Sequence, residues 1–202
     1  MILTEIGEIG VHAGEAVYRL RPSLYAMSRI GDPKEIVEVY ATVMSDALSK
    51  PAQREQFRDA LAVIHCCSED DLSGVFGYFN ERLKYVVKAA EPAHILPLAR
   101  CLLKHGITGA LPPLPRRAGE EPEYIDKFAA RDHVAMAMAH LGVSEQDAWR
   151  MTMTGLIAAM RAKFPPTESD APGAKAPSVE DHEATMDWHD KVLAKRQKRQ
   201  VH

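Results

Sequence analysis

Cysteine and histidine are the residue types in this chain that could do chemistry by their spacing. His65-Cys66-Cys67 sets one imidazole and two thiols in a row. On a helix, adjacent residues point about 100° apart, so the tripeptide cannot converge three ligands on one ion. No CxxC or HxxxH string completes it. The plain reading makes Cys66 and Cys67 small residues near a helix end. Cys101 with His94 or His105 could form a nucleophile and base, and His105 lies four residues on, on the same helix face. Nothing marks an oxyanion hole or a positioned acid beside it. His133 with His140, and His182 with His189, are each seven apart, but two imidazoles without a third ligand do not hold a metal firmly. No phosphate-loop, dinucleotide, nucleophile-elbow or metalloprotease string occurs. The expectation is therefore a protein that is not an enzyme and has no cofactor. A small Cys/His-dependent enzyme or metalloprotein is the weaker alternative.

The elements that would position these residues read as helices. Apolar residues are 46 % and charged residues 26 % of 202, both globular averages, and aromatics are only 6 %. Ala, Met and Leu are common, which favours helix over sheet. The formal charge of −3 offers no bulk electrostatic case for nucleic acid or membrane binding. Three cysteines without repeated spacing suit reduced thiols in a cytoplasm. MILTEIGEIG lacks the parts of a leader, and no apolar run is long enough to span a bilayer.

Residues 1–22 predict a β-hairpin. Ile9 and Val11 alternate with small or polar residues, Val17 to Leu20 is β-prone, and His12-Ala13-Gly14-Glu15 supplies the turn. Two strands alone are marginal, so this ribbon should pack on helices or pair with another copy. Residues 23–164 predict a helical, bundle-like body. Ser23 caps a short helix that Gly31 ends. Asp32-Pro33-Lys34-Glu35 starts a second as a capping box, with Ile36, Val37, Tyr40, Val43, Met44, Ala47 and Leu48 on its apolar face and Pro51 as its stop. A third holds Phe57, Leu61 and Ile64. Ser68-Glu69-Asp70-Asp71 is an acidic helix start, weakened by Gly74 and Gly77 as far as Arg82 to Lys88. Ile95 to His105 follows, stopped by Gly106, with Pro97 in the first turn or at a kink. A Pro/Gly-rich loop fills 107–121. Pro122 to Leu141 is a long helix carrying Tyr124, Ile125, Phe128, Val134, Met138 and Leu141, ended by Gly142. Ser144 starts the next, and Thr152 or Thr154 caps another as far as Lys163.

Residues 165–178 read as a linker of small and polar residues with Gly and Pro. Residues 179–202 read as a charged terminal helix, acidic in its first half and basic in its last, as the helix dipole favours. Its basic run, Lys195 to Arg199, is read as a solvated helix end, because the acidic half would repel phosphate.

The hairpin followed by Leu20-Arg21-Pro22-Ser23-Leu24-Tyr25-Ala26-Met27-Ser28-Arg29-Ile30-Gly31 resembles the tail assembly chaperones of tailed bacteriophages. Leu98 to Gly106, Ala135 to Gly142, Asp147 to Thr154 and Ala158 to Pro165 are similar to stretches of an uncharacterised phage family. The resemblance implies a protein of the host bacterial cytoplasm that coats the tape measure protein, yields to tail tube subunits, and is absent from the mature virion. Such chaperones have a shared part that binds the tape measure and a longer form that recruits tube protein. Residues 167–202 are the candidate recruiting arm. A minor structural or tail completion protein of the virion is the runner-up. A chaperone of amphipathic helices needs a forgiving apolar surface, which flexible methionines suit. Met136, Met138, Trp149, Met151, Met153 and Met160 are accordingly the candidate partner-binding residues.

Overall fold

The computed structural model describes residues 1–112 and 125–165, all within one compact unit. The fold is mainly α, with an N-terminal hairpin followed by helices. The predicted linker 165–178, all but its first residue, and the terminal helix 179–202, with His182, His189 and the basic run, lie outside the described residues. So do residues 113–124 of the predicted loop and long helix.

A single 3-10 turn, Thr4–Ile6, precedes strands β1 (Ile9–Ala13) and β2 (Ala16–Leu20). They pair antiparallel from Ile9↔Leu20 to Ala13↔Ala16. The turn is therefore Gly14-Glu15 alone, with Gly14 at φ +61°, and His12 and Ala13 belong to the strand rather than to the loop. Ile9, Val11, Ala13, Tyr18 and Leu20 face the core. The ribbon thus packs on the helical body, with Leu20 fully buried.

Helix α1 (Leu24–Ser28) starts where Ser23 Oγ accepts from the Ala26 N–H at 3.1 Å. It stops at Arg29, two residues before Gly31, which does not take the positive φ of a glycine stop. Helix α2 (Pro33–Met44) has the full capping box: Asp32 accepts from Lys34 and Glu35 N–H, and Glu35 accepts from Asp32 N–H. Its end differs from expectation. Pro51 does not stop it but stands in the first turn of α3 (Lys50–Cys66), behind the N-cap Ser49, where its missing N–H removes no helical bond. α2 ends earlier because neighbours take its last carbonyls. Gln56 Nε2 donates to Thr42, Val43 and Ser45 oxygens at 3.0, 3.3 and 2.7 Å, and Arg100 reaches Val43 and Ser45 oxygens at 2.9 and 2.7 Å. Leu48 is left exposed in the connection.

After α3 the acidic run does not open a long helix. Asp71 Oδ1 accepts from Ser73 N–H at 2.9 Å and starts only α4 (Ser73–Phe76). Gly77, at φ +80°, ends it. The segment around Arg82–Lys88 is instead a second small hairpin, β3 (Tyr78–Phe79) with β4 (Tyr85–Val86). Phe79 and Tyr85 pack against Phe57 of α3, burial that local helix propensity cannot offset.

Helix α5 (Pro92–Leu103) begins three residues before Ile95, so Pro97 lies inside it, beyond the first turn. Pro97 and Ala93, whose carbonyl loses its partner, are both exposed, where water can serve that oxygen. Gly106 is not the stop either. It is buried within a π-helical turn, Lys104–Thr108, and the left-handed residue after that turn is Gly109, at φ +74°. The predicted 122–141 helix starts only at Ala130: α6 is Ala130–Leu141, ended by Gly142 at φ +69°. Ile125 is exposed, whereas Phe128 reaches the core from the chain ahead of the helix, its N–H on Pro33 O at 2.7 Å. Helix α7 (Glu145–Arg150) is capped by Ser144, and α8 (Met153–Lys163) by Thr152 rather than Thr154.

α3 packs along α5 with α2 against both; α1 joins α6 and α7, and α8 packs on α6 and the π-turn. Leu24, Met27, Ile36, Ile64, Leu72, Ile95, Leu102, Leu103 and Leu156 are fully buried at the junctions, each contributing roughly 1.5–3 kcal/mol by removal from water. Among the described residues no helix is long and apolar enough to cross a membrane.

Candidate functional site

The sulfur and imidazole groups are dispersed. His65 Nε2 lies 3.1 Å from Gly77 O. Cys66 is half-buried and Cys67 buried, and burial pushes both thiols up, away from the thiolate form. Cys101 is exposed. His105 Nδ1 is 3.0 Å from Thr154 Oγ1, so the ring is engaged in fastening the π-turn to α8. His133 packs on Phe128 and His140 on Phe164, so the two imidazoles have separate partners. Among the described residues no group of three or more His, Cys, Asp or Glu could hold a metal ion.

The six partner-binding candidates do not share one surface. Met153 is in the core, and Met151 and Met160 are partly buried against it. Met136 and Met138 are exposed on α6, two residues and so about 200° apart around the helix. Of the six, only Trp149 lines a groove of about 940 Å³.

That groove is assembled by local rules acting at four places. β2 contributes Val17 and Arg19 on its outward face. The chain then meets Pro22 and the Ser23 cap, which turns it into α1 and carries Tyr25, Ala26 and Arg29. The end of α3 brings Cys66, Cys67 and the following Ser68, Glu69 and Asp70. α7 brings Gln146, Trp149 and Arg150. Leu24 N–H donates to Met151 O at 2.8 Å, which ties the start of α1 to the end of α7. The rings of Tyr25 and Trp149 then meet edge to face, with centroids 6.4 Å apart and planes at 86°. Trp149 Nε1 donates to Glu145 Oε1 at 3.3 Å, holding the indole from its own helix.

The charges are set unevenly. Arg21 pairs with the buried Glu8 at 3.1 Å, and Glu8 also accepts from Leu3 N–H at 2.9 Å. Arg29 donates to Cys66 and Ser68 oxygens at 3.4 and 3.2 Å, a cation on the carbonyl end of α3. Arg19 and Arg150 are exposed and have no ion pair with another described residue. The lining holds four arginines and two carboxylates, Glu69 and Asp70.

Of these residues the sequence reading singled out only Trp149 as a binder. Arg21, Tyr25 and Arg29 stood within the Leu20–Gly31 stretch and Arg150 within the Asp147–Thr154 stretch, all without an assigned role, and Arg19 carried no signal.

The model of a family of unknown function (DUF6246) matches residues 20–56 and 47–184, so the chain belongs to that family. No match was found among curated proteins or among solved structures.

Proposed function

We propose that this protein is a non-enzymatic assembly chaperone of a tailed bacteriophage, which binds and solubilises the tape measure protein during tail tube assembly. It acts in the host bacterial cytoplasm, yields to tail tube protein, and leaves before the virion is complete. The observation that carries the reading is the groove beside Trp149. Trp, Tyr and Arg are the residues that dominate protein-binding hot spots, and here they line one open concavity together with the apolar Val17 and Ala26. Arginine and aromatic side chains bind strongly without reacting, which is what holding and releasing a client requires. The hairpin leading into Leu20–Gly31, the stretch that resembles the tail chaperones, supplies two walls of that groove.

The test is co-expression with the phage's longest tail polypeptide, together with proteomics of purified virions. The polypeptide is expected to stay soluble and to co-purify, and this chain is expected to be missing from virions. A polypeptide that precipitates as readily with the chain as without it refutes the proposal. Presence of this chain in purified virions would favour a structural tail component instead.

A further inference from the structure

One wall of the groove is backbone. Ala13 and Ala16 face each other across the two-residue turn Gly14-Glu15, a spacing that gives Ala16 N–H to Ala13 O. Bonded and non-bonded pairs alternate along an antiparallel ladder, so Ala16, Tyr18 and Leu20 turn their N–H and C=O toward β1. Val17 and Arg19 turn theirs outward. No hydrogen bond from another described residue reaches those four groups. The next N–H two residues on, at Arg21, is already taken by Cys67 O at 2.7 Å. The outer edge of β2 is therefore closed at one end by the C-terminus of α3 and open along Val17 and Arg19, both of which line the groove.

We propose that this edge takes an extended, acidic segment of a partner protein as a third strand, lying in the groove. The inference rests on the groove being the seat of a client. Strand addition draws affinity from main-chain hydrogen bonds and selectivity from alternate side chains, and here the alternate side chains would meet Arg19 and Arg150, the lining arginines that are exposed and have no ion pair with another described residue. A single charge on β2 would suffice to keep an edge from aggregating. The groove adds Arg150 from α7, an exposed cation that edge protection does not need; Arg29, just after α1, already serves the Cys66 and Ser68 carbonyls. A second copy is a poor occupant, because pairing β2 with β2 would set two arginine-rich grooves face to face, and like charges oppose such pairing.

The probe is a short synthetic peptide alternating glutamate and valine, added to the full chain at low ionic strength, with amide hydrogen exchange read at single residues. The Val17 and Arg19 amides are expected to exchange about tenfold more slowly with peptide bound, and Arg19→Glu with Arg150→Glu to weaken binding at least about tenfold. Both arginines are exposed, and an unchanged thermal melt checks that the variant is folded. A matching peptide with lysine for glutamate is expected not to bind. Absence of binding by the acidic peptide, equal binding by the lysine peptide, or binding with the Val17 and Arg19 amides unprotected would each overturn the proposal. So would protection of those amides by protein concentration alone, which would make the occupant a second copy. The two readings fail separately: a client kept soluble while the edge amides stay unprotected refutes the added strand alone, and a bound peptide with an insoluble client refutes the client reading alone.

Discussion

Ser23 and Thr152 face each other in a single antiparallel bridge, and each is the N-cap of its own helix. Ser23 Oγ serves Ala26 N–H at 3.1 Å, and Thr152 Oγ1 serves Gly155 N–H at 3.1 Å. Both residues are buried, so neither hydroxyl can be replaced there by solvent. The bridge also sets Tyr25, two residues after Ser23, against Trp149, three before Thr152. Ser23→Ala and Thr152→Ala are each expected to lower stability by about 1 kcal/mol, the usual loss of an N-cap. Because the two share a bridge, the double variant should depart from the sum of the singles. Urea denaturation measures both, and additive, negligible losses would argue against the pairing.

These caps were readable beforehand because a cap acts over three residues. Ser23, Asp32, Ser144 and Thr152 each precede an apolar-periodic run, and each caps its helix. What escaped reading depended on distant partners. α2 stops where Gln56 and Arg100 take its carbonyls, the segment after Phe76 becomes a hairpin because Phe57 offers an aromatic surface, and Phe128 stays outside the helix, with Pro33 O holding its N–H. The groove unites residues 17–29, 66–70 and 146–150. Its arginines carry no shared spacing, so only the fold shows them to be neighbours.

Gly106 explains why a glycine sits inside the π-turn. It is buried, and a Cβ there would lie 2.6 Å from Met27 Sδ. Gly106→Ala is expected to destabilise by about 1–3 kcal/mol, the ordinary penalty for overpacking a filled core. In a Met27→Ala background the same substitution should be much less harmful, since the sulfur it strikes is gone. Equal losses in both backgrounds, measured by chemical denaturation, would contradict the contact.

Leu83 presents the opposite case. It holds φ +54° at the tip of the β3–β4 hairpin and is 80 % exposed. Asn80 Oδ1 fixes that tip by accepting from Arg82 and Lys84 N–H at 3.0 Å each. A leucine in the left-handed region is strained, and its exposure returns little burial. Leu83→Gly is expected to stabilise the protein by about 1 kcal/mol, raising the melting temperature, whereas a fall would show that the side chain is supported.

Acid should weaken the fold in two separate windows. Burial, reinforced by Lys104, holds the His105 imidazole below its ordinary value; burial does the same at His133, opposed by Asp132. The unfolded chain therefore binds these protons more readily. Their contribution is whole above about pH 6.5, the ordinary histidine value, and is lost as pH falls through the lower folded values. Asp32 and Asp71 are held low by backbone N–H donors, so their contributions persist to well below that window and are lost only in stronger acid. Urea midpoints should fall between about pH 7.5 and about pH 5.5, and His105→Asn with His133→Phe should flatten that fall. A midpoint that rises on acidification would reverse the sign.

The soluble fraction of the longest tail polypeptide, measured by lysate sedimentation, addresses the groove most directly. It should be compared without a partner, with the intact chain, and with a Trp149→Ala/Arg150→Glu variant whose cooperative melt is retained. The intact chain is expected to move that polypeptide into the supernatant and co-purify with it, and the variant is expected to leave it in the pellet. A variant that solubilises as well as the intact chain, or an intact chain that solubilises nothing, would contradict a client-binding groove at Trp149.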